Sequence, residues 1–174
     1  MKKILFICTG NTCRSPMAAA IFNHIAGTEL SGCDFTAASA GLYAHAGDPP
    51  SANAVSALQK LWRIDISEHR ARLLSGPEIA ETFLILAMTG NQRDYILRIF
   101  PEASRKIYTL KEYAYGADLC IDNKDPDNAG GCADMGPSTD IADPYGGPLR
   151  DYMICAREIE QAVLKLTERL KKTT

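Results

Sequence analysis

Residues 3–16 read KILFICTGNTCRSP: an apolar run that stops at a cysteine, a short loop, and then Ser-Pro. The unbroken Ile4–Ile7 run predicts a short strand, Lys3–Cys8, covered on both faces as in a parallel sheet. Ser15 as N-cap and Pro16 in the first helical position predict a helix to about Gly27. Outward from this unit, Phe35–Ala40 reads as a weaker strand ending in the loop SAGLYAHAGDPP. Ser51–Trp62 is helical, with Ala54, Val55, Leu58, Leu61 and Trp62 on one face. Thr82–Met88 is a buried strand, and Thr89 with Gln92 forms a capping box for a helix to about Phe100. Lys106–Leu110 is a fourth strand. A last helix, Leu149–Lys171, carries Tyr152, Ala156, Ile159, Val163, Leu166 and Leu170 on one stripe. This alternation predicts an open α/β layer with a mostly parallel sheet. In such layers ligands sit beyond the carboxyl ends of the strands, and Cys8 ends the first one.

With 174 residues, one domain spanning 1–174 is the simplest organisation. A formal net charge of −2 gives no basic footprint for nucleic acid. The apolar run after Lys2 and Lys3 is shorter than the roughly 7–15 residues of a signal-peptide core. No stretch reaches the roughly 18 apolar residues of a membrane span, so a cytoplasmic location is expected. The six cysteines are scattered without a CxxC pair, as befits reduced thiols rather than staples or zinc ligands. Cys33 and Cys155 read as packing residues. Asp118–Asp140 holds six aspartates, three glycines and two prolines, the composition of a solvated loop excursion. Its spacing misses the EF-hand pattern. Reducing conditions argue against a Cys120–Cys132 bridge.

If residues 8–15 curl between strand and helix, they make an anion cradle. Gly10 allows the sharp turn, so that the N–H groups of Thr9, Gly10, Asn11, Thr12, Cys13 and their neighbours face one point. The helix N-terminus adds its positive end. Arg14 supplies a planar fork for two phosphate oxygens. The field that attracts phosphate also favours a thiolate at Cys8, which becomes a nucleophile aimed at phosphorus. A structural cysteine beside a surface arginine is the plain alternative. The preceding strand, the Gly-Asn and the following Ser-Pro helix start argue against it.

These residues resemble the signature of the low-molecular-weight protein tyrosine phosphatase family. Agreement extends to Ser39–Gly41 (SAG), His69 in SEHRAR, Leu86–Thr89 (LAMT), Thr109–Tyr113 (TLKEY) and Asp143–Gly147 (DPYGG). The resemblance implies an open four-stranded parallel sheet with helices on both faces. It makes Cys8 the nucleophile of a phosphocysteine intermediate, and Arg14 the phosphate and transition-state ligand. Asn11 would hold the loop with help from His69, and Ser15 would hydrogen-bond the thiolate. Asp143 would protonate the leaving group and then activate water. Asp125, in another Asp-Pro pair, is the rival acid. No metal or cofactor is implied. Cys13 either lines the loop wall or traps Cys8 in a reversible disulfide.

Within the family, Thr12 stands where tyrosine phosphatases commonly carry Ile and protein-arginine phosphatases carry Thr. Its hydroxyl suits a polar guanidinium. Tyr145 lacks a second aromatic beside it and offers one face for stacking. The branch expected is therefore the protein-arginine phosphatase, acting on phosphorylated proteins opposite a protein-arginine kinase, with phosphotyrosine as the alternative substrate. Arsenate reductases of the related fold share the Cys-x5-Arg loop but need two further cysteines, and Glu81–Gly90 has none. A silent phosphate-binding module would leave the pairing of Cys8 with Asp143 unexplained. Gly116–Asp143 is longer than the family pattern.

Overall fold

The computed structural model describes residues 2–29, 34–116 and 138–172. Asp125, Cys33, Cys120, Cys132 and all but the end of the Asp-rich excursion lie outside these residues. The elements run β1 (Lys2–Cys8), α1 (Arg14–Glu29), β2 (Phe35–Gly41), α2 (Ala52–Trp62), α3 (Gly76–Glu81), β3 (Leu84–Ala87), α4 (Gly90–Ile99), a 3-10 turn (Pro101–Lys106), β4 (Ile107–Thr109), α5 (Leu110–Tyr115) and α6 (Leu149–Lys171). The strands form one parallel sheet in the order β2-β1-β3-β4.

β1 is central, and Ile4, Leu5, Phe6 and Ile7 are fully buried because both faces of the sheet are covered. Ile4 and Phe6 pack with α1, α2, α5 and α6, while Leu5 and Ile7 meet α3, α4 and the 3-10 turn. Burying each such side chain contributes about 1.5–3 kcal/mol. β2 is an edge strand, and the Asn23 side chain lies along it. Its Nδ2 donates to the Ala37 carbonyl (3.0 Å) and its Oδ1 accepts from the Ala37 N–H (2.8 Å).

Several boundaries differ from the sequence reading. α1 begins at Arg14, so Ser15 lies within the first turn and is not the N-cap; its hydroxyl is engaged in the site described below. The third strand is Leu84–Ala87 and not Thr82–Met88, because Thr82 caps α3 with its N–H. The fourth strand stops at Thr109, where a capping box with Glu112 starts α5. Thr89 does accept from the Gln92 N–H. The Gln92 side chain, however, reaches back past Thr89 to the Met88 N–H (3.1 Å) and forward to Thr9 (3.1 Å), so that capping box is only half made.

Candidate active site

β1 delivers Cys8 to the carboxyl edge of the sheet, where the thiol is 3% exposed. The loop over residues 9–13 then closes around it. Cys8 Sγ lies 2.9 Å from Ser15 Oγ and accepts from the Asn11 N–H at 3.3 Å. The backbone N–H groups of Gly10, Thr12, Cys13 and Arg14 donate to no other group among the described residues. They sit at the N-terminus of α1, an arrangement suited to binding an anion.

The residue that turns this loop is Asn11, not Gly10. Asn11 carries φ 55°, whereas Gly10 is not in the left-handed region. Asn is among the few side chains that tolerate this conformation, through local hydrogen bonds. Asn11 is fully buried, and its amide donates to Ser15 Oγ and Ser39 Oγ, both at 2.9 Å. Its Oδ1 accepts from the Arg72 N–H at 3.0 Å, and its main-chain carbonyl accepts from His69 Nε2 at 2.8 Å. Because a carbonyl only accepts, His69 carries its proton on Nε2. Burial pushes the His69 pKa below its ordinary value; the Asn11 carbonyl opposes this, and Arg72 and Arg70 add to it. Arg72 is fixed in turn by Glu78, which also holds Lys3 at 2.6 Å. At Gly41 a Cβ would come within 2.7 Å of the Thr9 carbonyl, so the end of β2 can lie against the cradle only as glycine.

The other wall comes from the segment before α6. Arg14 is almost fully buried, and its guanidinium donates to the Ile141 carbonyl (3.1 Å) and to Asp143 Oδ2 (2.6 Å). Asp143 is half-exposed, and its second oxygen accepts from the Tyr145 N–H at 3.2 Å. The cleft between these walls has a volume of about 500 Å³ and is lined by Cys8, Gly10, Thr12, Cys13, Arg14, Asp143 and Tyr145, among others. Ser51 N–H donates to the Thr12 carbonyl and Asn53 to the Gly147 carbonyl, so α2 ties both loops together. Cys8, Cys13 and Cys155 are free thiols. Cys13 Sγ lies 3.6 Å from Tyr152 Oη, and burial pushes the Tyr152 pKa up. Burial, followed by Glu158, pushes the Cys155 thiol up to about 12, consistent with a packing residue.

Cys8, Thr9, Gly10, Thr12, Cys13, Arg14, Asp143 and Tyr145 thus meet at one cleft, and Asn11, Ser15 and His69 support it from behind. Sequence reasoning missed Ser39, Arg72, Gln92, Ser51 and Tyr152 as supports, and Tyr43, His45 and Asp48 as cleft walls. Only Ser39 carried a signal, its place beside Gly41 at a strand end. Among the described residues no helix is long and apolar enough to cross a membrane.

The family model described as "Low molecular weight phosphotyrosine protein phosphatase" matches residues 3–174. A protein-arginine-phosphatase of Geobacillus stearothermophilus is 36% identical over 169 residues, covering 97% of this chain and 96% of its own length. The crystal structure of a low molecular weight protein tyrosine phosphatase from T. tengcongensis superimposes with a TM-score of 0.79 at 37% identity, covering 97% of this chain and 99% of that one. The YwlE arginine phosphatase, in a mutant with a phosphorylated active-site serine, superimposes with a TM-score of 0.80 at 32% identity, covering 98% of this chain and 96% of that one.

Proposed function

Because the chain belongs to the low molecular weight phosphotyrosine protein phosphatase family, we propose that it hydrolyses phosphoarginine on proteins through a phosphocysteine at Cys8. One observation carries the reading: Cys8 Sγ lies 2.9 Å from a hydroxyl, beneath unclaimed backbone amides, with Arg14 and Asp143 paired at 2.6 Å across the same cleft. The similarity to arginine phosphatases supports the substrate, as do the Thr12 hydroxyl and the Tyr145 ring, which has no second aromatic beside it in sequence, in the cleft. The phosphorylated serine in the YwlE mutant supports transfer of the phosphoryl group onto the enzyme.

In this scheme phosphate takes the Arg14 guanidinium and the amide cradle, which releases Asp143 towards the leaving group. The Cys8 thiolate attacks phosphorus and the P–N bond breaks. Its electron pair leaves on the guanidino nitrogen, which takes the Asp143 proton. Asp143 then removes a proton from water, whose oxygen attacks phosphorus. The P–S pair returns to Cys8, and inorganic phosphate departs. Ser15 stabilises the thiolate at both ends of the cycle. We place the reaction in the cytoplasm, where the Cys8 thiol stays reduced, opposite a kinase that phosphorylates arginine.

The likeness to a tyrosine phosphatase favours phosphotyrosine as a second reading. The two are separated by turnover of matched phosphoarginine and phosphotyrosine peptides, with Thr12→Ile as the comparison. Preference for the P–N bond, shifted towards phosphotyrosine in the variant, supports the arginine assignment. Equal turnover of both peptides by the wild-type protein removes it.

A further inference from the structure

On the α4 side of the sheet, just beyond the cleft, lies a second concavity of about 170 Å³. Its walls are apolar: Leu42, Leu73, Leu74, Tyr95, Ile99 and Phe100. Leu73 and Ile99 are 55% and 49% exposed, unusual for two large aliphatic side chains lining one groove. The groove adjoins the cleft across a shared wall. Leu42 lines the groove while its chain neighbour Tyr43 lines the cleft, and the Tyr43 and Tyr95 rings pack at 5.6 Å. Tyr43 itself is 60% exposed and forms the ridge between the two.

The backbone along this groove is also open to pairing. Leu73 bridges the end of β2 in parallel fashion: Gly41 N–H donates to the Arg72 carbonyl and Leu74 N–H to the Gly41 carbonyl, both at 2.9 Å. In that geometry the N–H and C=O of Leu73 point away from β2, and neither has a partner among the described residues. An extended chain running alongside would find one donor, one acceptor and an apolar pocket for a side chain.

We propose that this groove docks the polypeptide of the phosphoprotein substrate, taking an apolar side chain a few residues from the phosphorylated residue seated over Cys8. The inference rests on the proposed function, since only a substrate that is itself a polypeptide leaves the cleft over the Tyr43 ridge. The wall of Tyr43 and Tyr95 that the groove shares with the cleft decides the occupant. A chain anchored by its phosphoryl group in the cradle has the Tyr43 ridge to cross to enter the groove.

The test compares Leu73→Asp and Ile99→Asp with the wild-type protein on three substrates. These are p-nitrophenyl phosphate, a phosphoarginine peptide carrying leucine at the flanking position that a leucine scan finds best, and the same peptide with serine there. For the leucine peptide, KM rises roughly five- to ten-fold in each variant with kcat unchanged, the scale of partly burying one aliphatic side chain. The serine peptide and p-nitrophenyl phosphate are unaffected. Unchanged KM for the leucine peptide overturns the proposal, as does an equal loss on p-nitrophenyl phosphate. Self-association of the wild-type protein that Leu73→Asp abolishes would assign the groove to a second copy instead. A large fall in melting temperature for Leu73→Asp would show the groove covered by the chain itself. Failure of the proposed function reads out separately: the wild-type protein would then hydrolyse p-nitrophenyl phosphate and neither peptide.

Discussion

Replacing Asn11 tests whether the cradle is held in shape by one buried amide. Asn11→Ala removes two donor bonds, to Ser15 and Ser39, and the acceptor of the Arg72 N–H. Each such bond contributes about 0.5–1.5 kcal/mol, and an abandoned buried N–H costs about 1–3 kcal/mol. Alanine at φ 55° adds about 1 kcal/mol, a strain that glycine avoids. The expected loss is therefore about 3–7 kcal/mol for Asn11→Ala and about 1 kcal/mol less for Asn11→Gly. For a chain of this size that lowers the melting temperature by about 6–28 °C. Urea denaturation gives the free energies, and vanadate inhibition reports the cradle, which weakens in both variants. Stability of Asn11→Ala within about 0.5 kcal/mol of wild type, the usual range for a neutral surface substitution, would refute the reasoning. So would vanadate binding that survives unchanged.

Asp143→Asn lowers kcat by roughly 10²- to 10⁴-fold, the usual contribution of a positioned acid, and tightens vanadate binding because Arg14 loses its carboxylate partner. Tighter binding with full turnover would move the acid elsewhere, with Asp125 as the next residue to substitute. His69 carries a pH dependence of stability. Its folded pKa lies below the unfolded value, so the unfolded chain binds more protons on acidification. The stabilisation is present above the unfolded value of about 6.5 and is lost as pH falls through the folded one. Melting temperatures between neutral and mildly acid pH should fall less steeply for His69→Gln than for wild type; parallel slopes would dismiss the effect.

The β1–loop–α1 unit was legible because its signals are local: an apolar run, a cysteine at its end, and a proline at the next helix start. The errors arose where side chains serve distant partners. Ser15 has the chemistry of an N-cap, but its hydroxyl is held by Cys8 and Asn11, and the helix starts two residues earlier, at Arg14. Gly10 is the natural choice for a left-handed turn, yet tertiary hydrogen bonds make Asn11 the better residue at that position. The sequence reading carries the fourth strand one residue too far, to Leu110, and passes over the rest of α5, although Thr109 and Glu112 spell out a capping box. Arg72, Gln92 and Tyr43 belong to elements remote in sequence, and nothing in their own neighbourhoods announces a role at the cleft.

Asn23 has a consequence for the crowded cell rather than for the chemistry. A parallel sheet ends in a ribbon whose outer backbone invites any passing strand, and such ribbons seed aggregates. Here a carboxamide from α1 impersonates the missing neighbour, occupying both Ala37 groups that would recruit it. The middle of the β2 edge is thus covered from within, and a leucine in place of Asn23 would leave a fold of similar packing with a more adhesive rim.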